Sequence, residues 1–184
     1  MHRLVPLLLL LFSVISVDAR AQASVGLTLQ AYPAGLITSI QGSISISPAS
    51  QALAFVAWNA TDRRDWGKHD NEEGGGPGAG LAWRYYFSAD HSGFFAGVRT
   101  DLWFLDIDWT DTAPNRNVPD RTGTTEVTVL QPTAQIGYAL PLGAKRWVLE
   151  GAAALGAEVN VRTDGEAVGE GAILLVGLGL SYRF

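Results

Sequence analysis

Cysteine is absent from the 184 residues, which excludes a disulfide framework, a thiolate nucleophile and any cysteine-ligated metal. Beyond residue 23 no apolar run reaches the roughly 18 residues that would mark a membrane-spanning helix. The every-third-or-fourth apolar spacing of an amphipathic helix is missing as well. Basic residues are scarce, 13 Lys and Arg against 18 Asp and Glu, for a formal charge of −5. No basic stripe exists to neutralise phosphates, so nucleic acid is not expected as a partner. Of three histidines, only His69 and His91 lie outside the first few residues, which leaves little material for a Ser/His/acid hydrolase.

What is present starts with a leader. Met1-His2-Arg3 is basic, Leu4 to Val17 is an apolar run of about 14 residues, and Asp18-Ala19-Arg20-Ala21-Gln22-Ala23 offers small residues at cleavage spacing. A basic start, a short apolar stretch and an A-x-A site make a secretory signal peptide. The expected division is residues 1–23 as signal peptide, cleaved after Ala23, and 24–184 as one mature domain. Losing Arg3, Arg20 and Asp18 moves the formal charge to about −6. Part of the positive mean hydropathy, +0.13, belongs to the leader.

The remainder breaks into strand-like runs separated by Gly, Pro, Asp and Asn clusters. The pattern predicts eight strands, near residues 25–31, 40–47, 52–59, 78–87, 93–108, 124–140, 146–161 and 171–184. Connections at 48–50, 88–92 and 141–145 are short. Those at 60–77, 109–123 and 163–170 are longer and more charged, and the same alternation makes 32–40 the first long one. Short turns at one end and long loops at the other are the rhythm of an outer-membrane barrel, with both termini on the periplasmic side.

Side chains of a strand alternate between faces. In the seventh strand Trp147, Leu149, Ala153, Leu155, Val159 and Val161 share one face, and Glu150, Ala152, Ala154, Gly156, Glu158 and Asn160 the other. A carboxylate facing lipid is strongly disfavoured, so the Glu face must look inward. The same reasoning places Arg84, Arg99, Asp101, Gln131, Gln135 and Arg183 inside, as a structural polar network in the lumen. In the sixth strand Val127 and Val129 fall out of phase with Leu130, Ala134, Ile136 and Tyr138, which predicts a bulge near Leu130 to Pro132. Outward aromatics (Trp83, Tyr85, Phe87, Phe94, Tyr138, Trp147 and Tyr182) gather towards the periplasmic ends, as an interfacial girdle does.

The last strand carries the one residue-level likeness. Ser181-Tyr182-Arg183-Phe184 resembles the C-terminal signature of bacterial outer-membrane β-barrel proteins, and the pattern of 24–184 is similar in plan to the eight-stranded OmpA- and OmpX-like members. The resemblance implies an all-β fold, a closed antiparallel transmembrane β-barrel of eight strands. It further implies a Gram-negative outer-membrane location and recognition of Tyr182 and Phe184 by the barrel-assembly machinery. It brings no catalytic residues with it.

Chemistry-bearing groups are few. His91 lies in a short turn assigned to the periplasm, and reads as a polar turn residue. His69 lies in the longest loop among Asp65, Lys68, Asp70, Glu72 and Glu73, beside Gly74-Gly75-Gly76, and reads as part of a mobile, solvated loop. Two acidic groups, Asp106, Asp108 and Asp111 and then Asp70, Glu72 and Glu73, are weak candidates for a hard cation, since oxygen ligands suit Ca²⁺ or Mg²⁺ but the spacing lacks a calcium-loop pattern. Residues 163–171 hold three glycines without the Lys or Ser/Thr of a phosphate loop. No cofactor and no catalytic constellation is expected. Outer-membrane lipid is the expected environment, an extracellular partner is open, and the chain is expected to be a monomer. The reading is a structural or surface-interaction protein acting through charged extracellular loops, with no open pore, because eight strands enclose only enough room for side chains. An outer-leaflet enzyme, lipid A-modifying or protease-like, and a narrow ion channel are the alternatives.

Overall fold

Alternating apolar residues cannot be satisfied by a lone hairpin, and here the chain solves this by closing its sheet on itself. The structure is a computed structural model that describes residues 22–184 apart from 66, 116, 144 and 145. The leader up to Ala21 therefore lies outside the described residues, as does part of the 141–145 turn. Eight antiparallel strands follow one another around a closed barrel: β1 (Ala23–Tyr32), β2 (Gly35–Ser47), β3 (Ser50–Arg64), β4 (Asn71–Tyr86), β5 (Gly93–Asp111), β6 (Arg121–Leu142), β7 (Trp147–Asp164) and β8 (Gly171–Arg183). Pairing of β1 with β8, from Ser24↔Arg183 to Ala31↔Val176, completes the ring. Closure removes the unpaired edge that an open sheet would expose.

The number and order of strands agree with the sequence pattern, but the upper boundaries do not. The expected first loop at 32–40 is a turn at Pro33 and Ala34, because β2 already begins at Gly35. The expected 60–77 loop shrinks to residues 65–70, since β3 and β4 run on through the charged and glycine-rich stretch. In a closed barrel every strand has a hydrogen-bonding neighbour on both sides, so even polar sequence stays in the ladder. The glycines allow the backbones to meet: a Cβ at Gly74 would sit 2.0 Å from the Asp106 carbonyl oxygen, and one at Gly76 1.9 Å from that of Phe104. Strand lengths differ strongly, 10 and 13 residues for β1 and β2 against 19 and 22 for β5 and β6. The rim at the end away from the chain termini is therefore low at the β1–β2 turn and high opposite it.

The expected bulge at Leu130 to Pro132 is also displaced. β6 alternates without interruption, with Thr125, Val127, Val129, Gln131, Thr133 and Gln135 all buried. The register shift lies at Thr128/Val129, which face Arg162 and Asn160, so the extra residue is Val161 on β7. Val127 and Val129 are apolar because they pack inside the barrel, and no change of phase is involved.

Two surfaces result. The outer wall carries Leu27, Leu81, Ile136, Leu155 and Leu178 at 63–67% exposure, far more open apolar surface than water-soluble monomers tolerate. Inside, large aromatics lie across glycines on the neighbouring strand. Phe55 faces Gly80, Trp103 faces Gly78, Phe95 faces Gly137 and Trp109 faces Gly123. A Cβ at any of these four glycines would come within 2.4 Å of the ring opposite. This pairing of ring with missing side chain fills a narrow barrel and shields the glycine backbone.

Candidate functional site

From the end where β1 starts and β8 finishes upward, the interior has four levels. The lowest is a plug of Tyr86, Phe95, Ala139 and Val148. His91 completes it: a positive φ of 52° turns the residue, and its ring is buried edge-on to Tyr86 at 5.3 Å. Its Nε2 is 3.0 Å from the Ser47 carbonyl. His91 is thus a buried closure of the barrel base, where the sequence suggested an ordinary polar turn. Arg183 sits at the same rim and donates to the carbonyls of Asp90 and His91; among the described residues no carboxylate of the lumen forms a salt bridge with it.

Above the plug lies a polar level. Arg84 donates to Glu150 at 2.8 Å, and Gln41 reaches the same oxygen at 3.5 Å. Arg99 grips Asp101 on its own strand at 2.7 and 2.8 Å and donates to Gln30 from the other side of the lumen at 2.6 Å. Trp103 donates to Gln131 and Tyr86 to Gln51. The guanidiniums also stack on rings, Arg84 over Phe95 and Arg99 over Phe55, at 4.6 and 4.0 Å, a contact that favours weakly hydrated cations. Each buried charge of this level has an opposite partner, as burial of ions requires. Arg84, Arg99, Asp101, Gln131, Gln135 and Glu150 are therefore together inside.

The third level is apolar: Ile37, Trp103, Leu105, Ile107, Trp109, Val127, Val129, Ile173 and Leu175, with Val168 reaching down from the last loop. Nothing in the sequence reading anticipated a greasy lumen here, because inward Val and Leu look the same as outward ones.

A polar cap closes the top. Glu72 is fully buried and accepts the backbone N–H groups of Lys68 at 2.7 Å and Gly169 at 3.0 Å, together with Arg63 at 3.0 Å. Arg63 extends the chain of contacts to Glu158 at 3.0 Å and to the Gly169 carbonyl at 2.9 Å. Glu158 is thus an inward residue as expected, but its partner is Arg63 and it belongs to the cap. The loop at 165–170 is bolted across the mouth by these contacts, and Thr125 donates to the Glu166 carbonyl at 2.9 Å. Arg63 and Glu72 escaped the sequence reading because β3 and β4 were ended too early. Carrying the even-numbered face of β4 from Arg84 up to Glu72 would have found the latter.

His69 is not mobile either. Its ring stacks on Trp109, 4.2 Å between centroids and 12° between planes, and Nδ1 lies 3.0 and 3.1 Å from the two Asp111 oxygens. A carboxylate can only accept, so Nδ1 carries the proton and donates. That hydrogen bond, joined by the Asp70 N–H and the charge of Arg121, holds the Asp111 carboxyl below its ordinary range. Asp65 meets this group through its backbone N–H, which donates to the Asp70 carbonyl at 3.0 Å, and its φ of 56° marks the turn that leaves β3.

The acidic candidates for a cation do not converge. Asp106 and Asp108 point outward from β5, while Asp111 points inward to His69. Glu72 is buried in the cap and Glu73 is exposed. Among the described residues no group of three or more His, Asp or Glu side chains is placed to hold a metal.

No protein family matches the sequence, and no curated protein does. Solved structures do show the same fold. A major outer membrane protein from Thermus thermophilus superposes with a TM-score of 0.59 at 16% identity, over 89% of this chain and 99% of that one. The N-terminal β-barrel domain of OprF from Pseudomonas aeruginosa covers 89% and 97% of the two chains, with a TM-score of 0.49 and 12% identity. Neisserial surface protein A gives 0.48 and 12%, over 89% and 96%. At 16% identity the likeness to the Thermus protein is one of fold, that of an outer-membrane protein.

Proposed function

We propose that this chain is an integral outer-membrane protein, secreted with removal of its signal peptide. In this reading it is a sealed barrel that offers a rigid extracellular cap to partners at the cell surface. The observation that carries it is the outward apolar band. On β5 the outward residues are apolar or small from Phe94 through Val98, Thr100 and Leu102 to Phe104, and then become Asp106 and Asp108. Eleven residues at the usual rise and a tilt near 40° span about 25 Å, the height of the lipid-facing band in such barrels. Its lower margin is ringed by aromatics in mutual contact: Tyr85 with Phe87, Phe94 with Tyr138, and Trp147 with Tyr182. The layered, filled interior speaks for a structural or interaction role over conduction.

Single cysteines at 147–152 test this in reconstituted vesicles. Positions 147, 149 and 151 should react with a lipid-soluble maleimide, and 148, 150 and 152 should not. Loss of the two-residue alternation would remove the barrel from the bilayer. Labelling of Lys68→Cys on intact cells fixes which end faces out.

The enzymatic alternative has one observation behind it, the His69–Asp111 pair. Nε2 of His69, the atom a base would present, is buried without a hydrogen-bond partner, and no serine stands against it among the described contacts. We therefore favour a structural role for the pair.

A further inference from the structure

The low rim at the β1–β2 turn opens onto a cavity of about 360 Å³. Its polar lining carries both signs, Arg63 and Arg64 against Asp62, Glu158 and Glu170, with Tyr32 beside them. The two arginines are differently engaged. Arg63 is held by Glu72 and Glu158, whereas Arg64 has a pair with Asp62 that is largely open to water. Such an exposed pair is weak and readily exchanged for another anion. Glu170 accepts from the Asn160 N–H through one oxygen.

Lower on the same strands, the outer wall carries an apolar groove of about 650 Å³. Its origin is visible in the register. Leu178, Leu29, Thr38 and Trp58 form one outward row across β8, β1, β2 and β3, and the short Thr38 leaves a furrow between Leu29 and Trp58. Leu29 is three residues below Tyr32, about 10 Å along the strand. Furrow and polar cavity thus occupy one sector of the barrel, the furrow on the outer wall beside lipid chains and the cavity straddling the low rim above it, with Asp62 and Arg64 on the outer side and Tyr32 and Ile173 on the inner.

We propose that this side binds one phospholipid with a zwitterionic headgroup. Its phosphate lies against Arg64, its ammonium against the exposed Glu170, and an acyl chain fills the furrow beside Trp58. The assignment rests on the membrane reading of the outer wall. Charge selects the headgroup. With Arg63 and Glu158 paired to each other, Asp62 and Glu170 remain against Arg64, so a purely anionic headgroup meets a single open cation between two carboxylates. A headgroup with an ammonium finds a partner for each of its charges. One furrow and a cavity of this volume match a phospholipid better than a multiply acylated disaccharide.

Native mass spectrometry of the whole mature protein in detergent tests this, with palmitoyl-oleoyl phosphatidylethanolamine, the matching phosphatidylglycerol and hexa-acylated lipid A as competing probes. One retained phosphatidylethanolamine is expected, in preference to both others. Arg64→Ala and Glu170→Gln, at exposed positions that leave the barrel intact, should each weaken retention about tenfold, the loss of one charge-assisted contact. Trp58 fluorescence should shift on binding and cease to do so in Thr38→Leu, where the furrow is filled. Equal retention of phosphatidylglycerol, preference for lipid A, or no effect of either variant overturns the proposal. Insertion into vesicles is scored separately by heat-modifiable migration. A protein that does not insert fails the membrane reading, and one that inserts without lipid preference fails this site alone.

Discussion

The lower and upper halves of the lumen solve one packing problem in opposite ways. Below, inward positions carry Arg84, Glu150, Arg99 and Asp101, and stability comes from matching each charge with its opposite. Above, the same alternation delivers Ile37, Trp103, Val127 and Leu175, and the space is filled as in a water-soluble core. A single strand can switch between the two modes: β5 presents Asp101 and, two residues on, Trp103. Strand alternation therefore says which residues share a face, and only the chemistry of the opposite face says which is the inside. A barrel built this way is filled twice over, by paired ions below and by an apolar layer above.

The largest effect should come from breaking the charged half. Glu150→Leu leaves Arg84 buried without its carboxylate, and the loss of one member of such a pair costs about 3–5 kcal/mol. The measurement is the urea midpoint of the folded barrel in detergent. Replacing Arg84 by Leu at the same time should recover most of the loss, because no uncompensated ion then remains. A double variant as unstable as the single one would mean that the lower half is held by shape, like the upper.

A smaller effect is expected from overfilling the apolar half. Gly78→Ala places a Cβ 2.2 Å from the Trp103 ring, and overpacking of this kind costs about 1–3 kcal/mol. Trp103 also donates to Gln131 at the boundary between the halves, so its displacement should be felt in the polar level too. Near-ultraviolet circular dichroism would register the moved indole, and an unchanged spectrum would mean that the ring turns aside freely.

The contrast also explains what could be read in the sequence. The polar half was legible because Arg84, Asp101 and Glu150 stand out against outward Leu81, Leu102 and Leu149. The apolar half was not: Val127 and Val129 have apolar neighbours on both faces of the wall, so periodicity alone does not show that they point inward, and the bulge it suggested lies at Thr128/Val129. The cap was hidden for another reason. Glycine-rich, charged stretches such as Asp70 to Gly76 have loop composition, and only barrel closure, a long-range property, keeps them paired. His69 and His91 were likewise seen as isolated polar residues because their partners, Trp109 with Asp111 and Tyr86 with Ser47, are brought to them by the fold and not by the local sequence.

The cap, where polar contacts again take over from the apolar half, should respond to acid, and this is the smallest effect expected. Asp111 is the last residue of β5, above the apolar band, and its carboxyl is held below the ordinary range chiefly by the His69 hydrogen bond. A folded pKa below the unfolded value means that folding favours the ionised form. The contribution is therefore complete above the unfolded carboxylate value near 4 and is lost as pH falls through the lower folded value. Between pH 6 and 5 the His69–Asp111 contact should hold, and below about 4 it should loosen first at residues 67–70 and 112–115. Hydrogen exchange read by mass spectrometry after peptic digestion, corrected for the intrinsic pH dependence of exchange, follows these segments. Asp111→Asn should remove the acid response while leaving protection of the 165–170 loop unchanged, because Glu72 holds that loop, and the Lys68 and His69 N–H groups, through contacts that do not involve Asp111. Parallel loosening of both segments would show that the cap opens as one piece, and that its polar contacts act together as do the charges deep in the lumen.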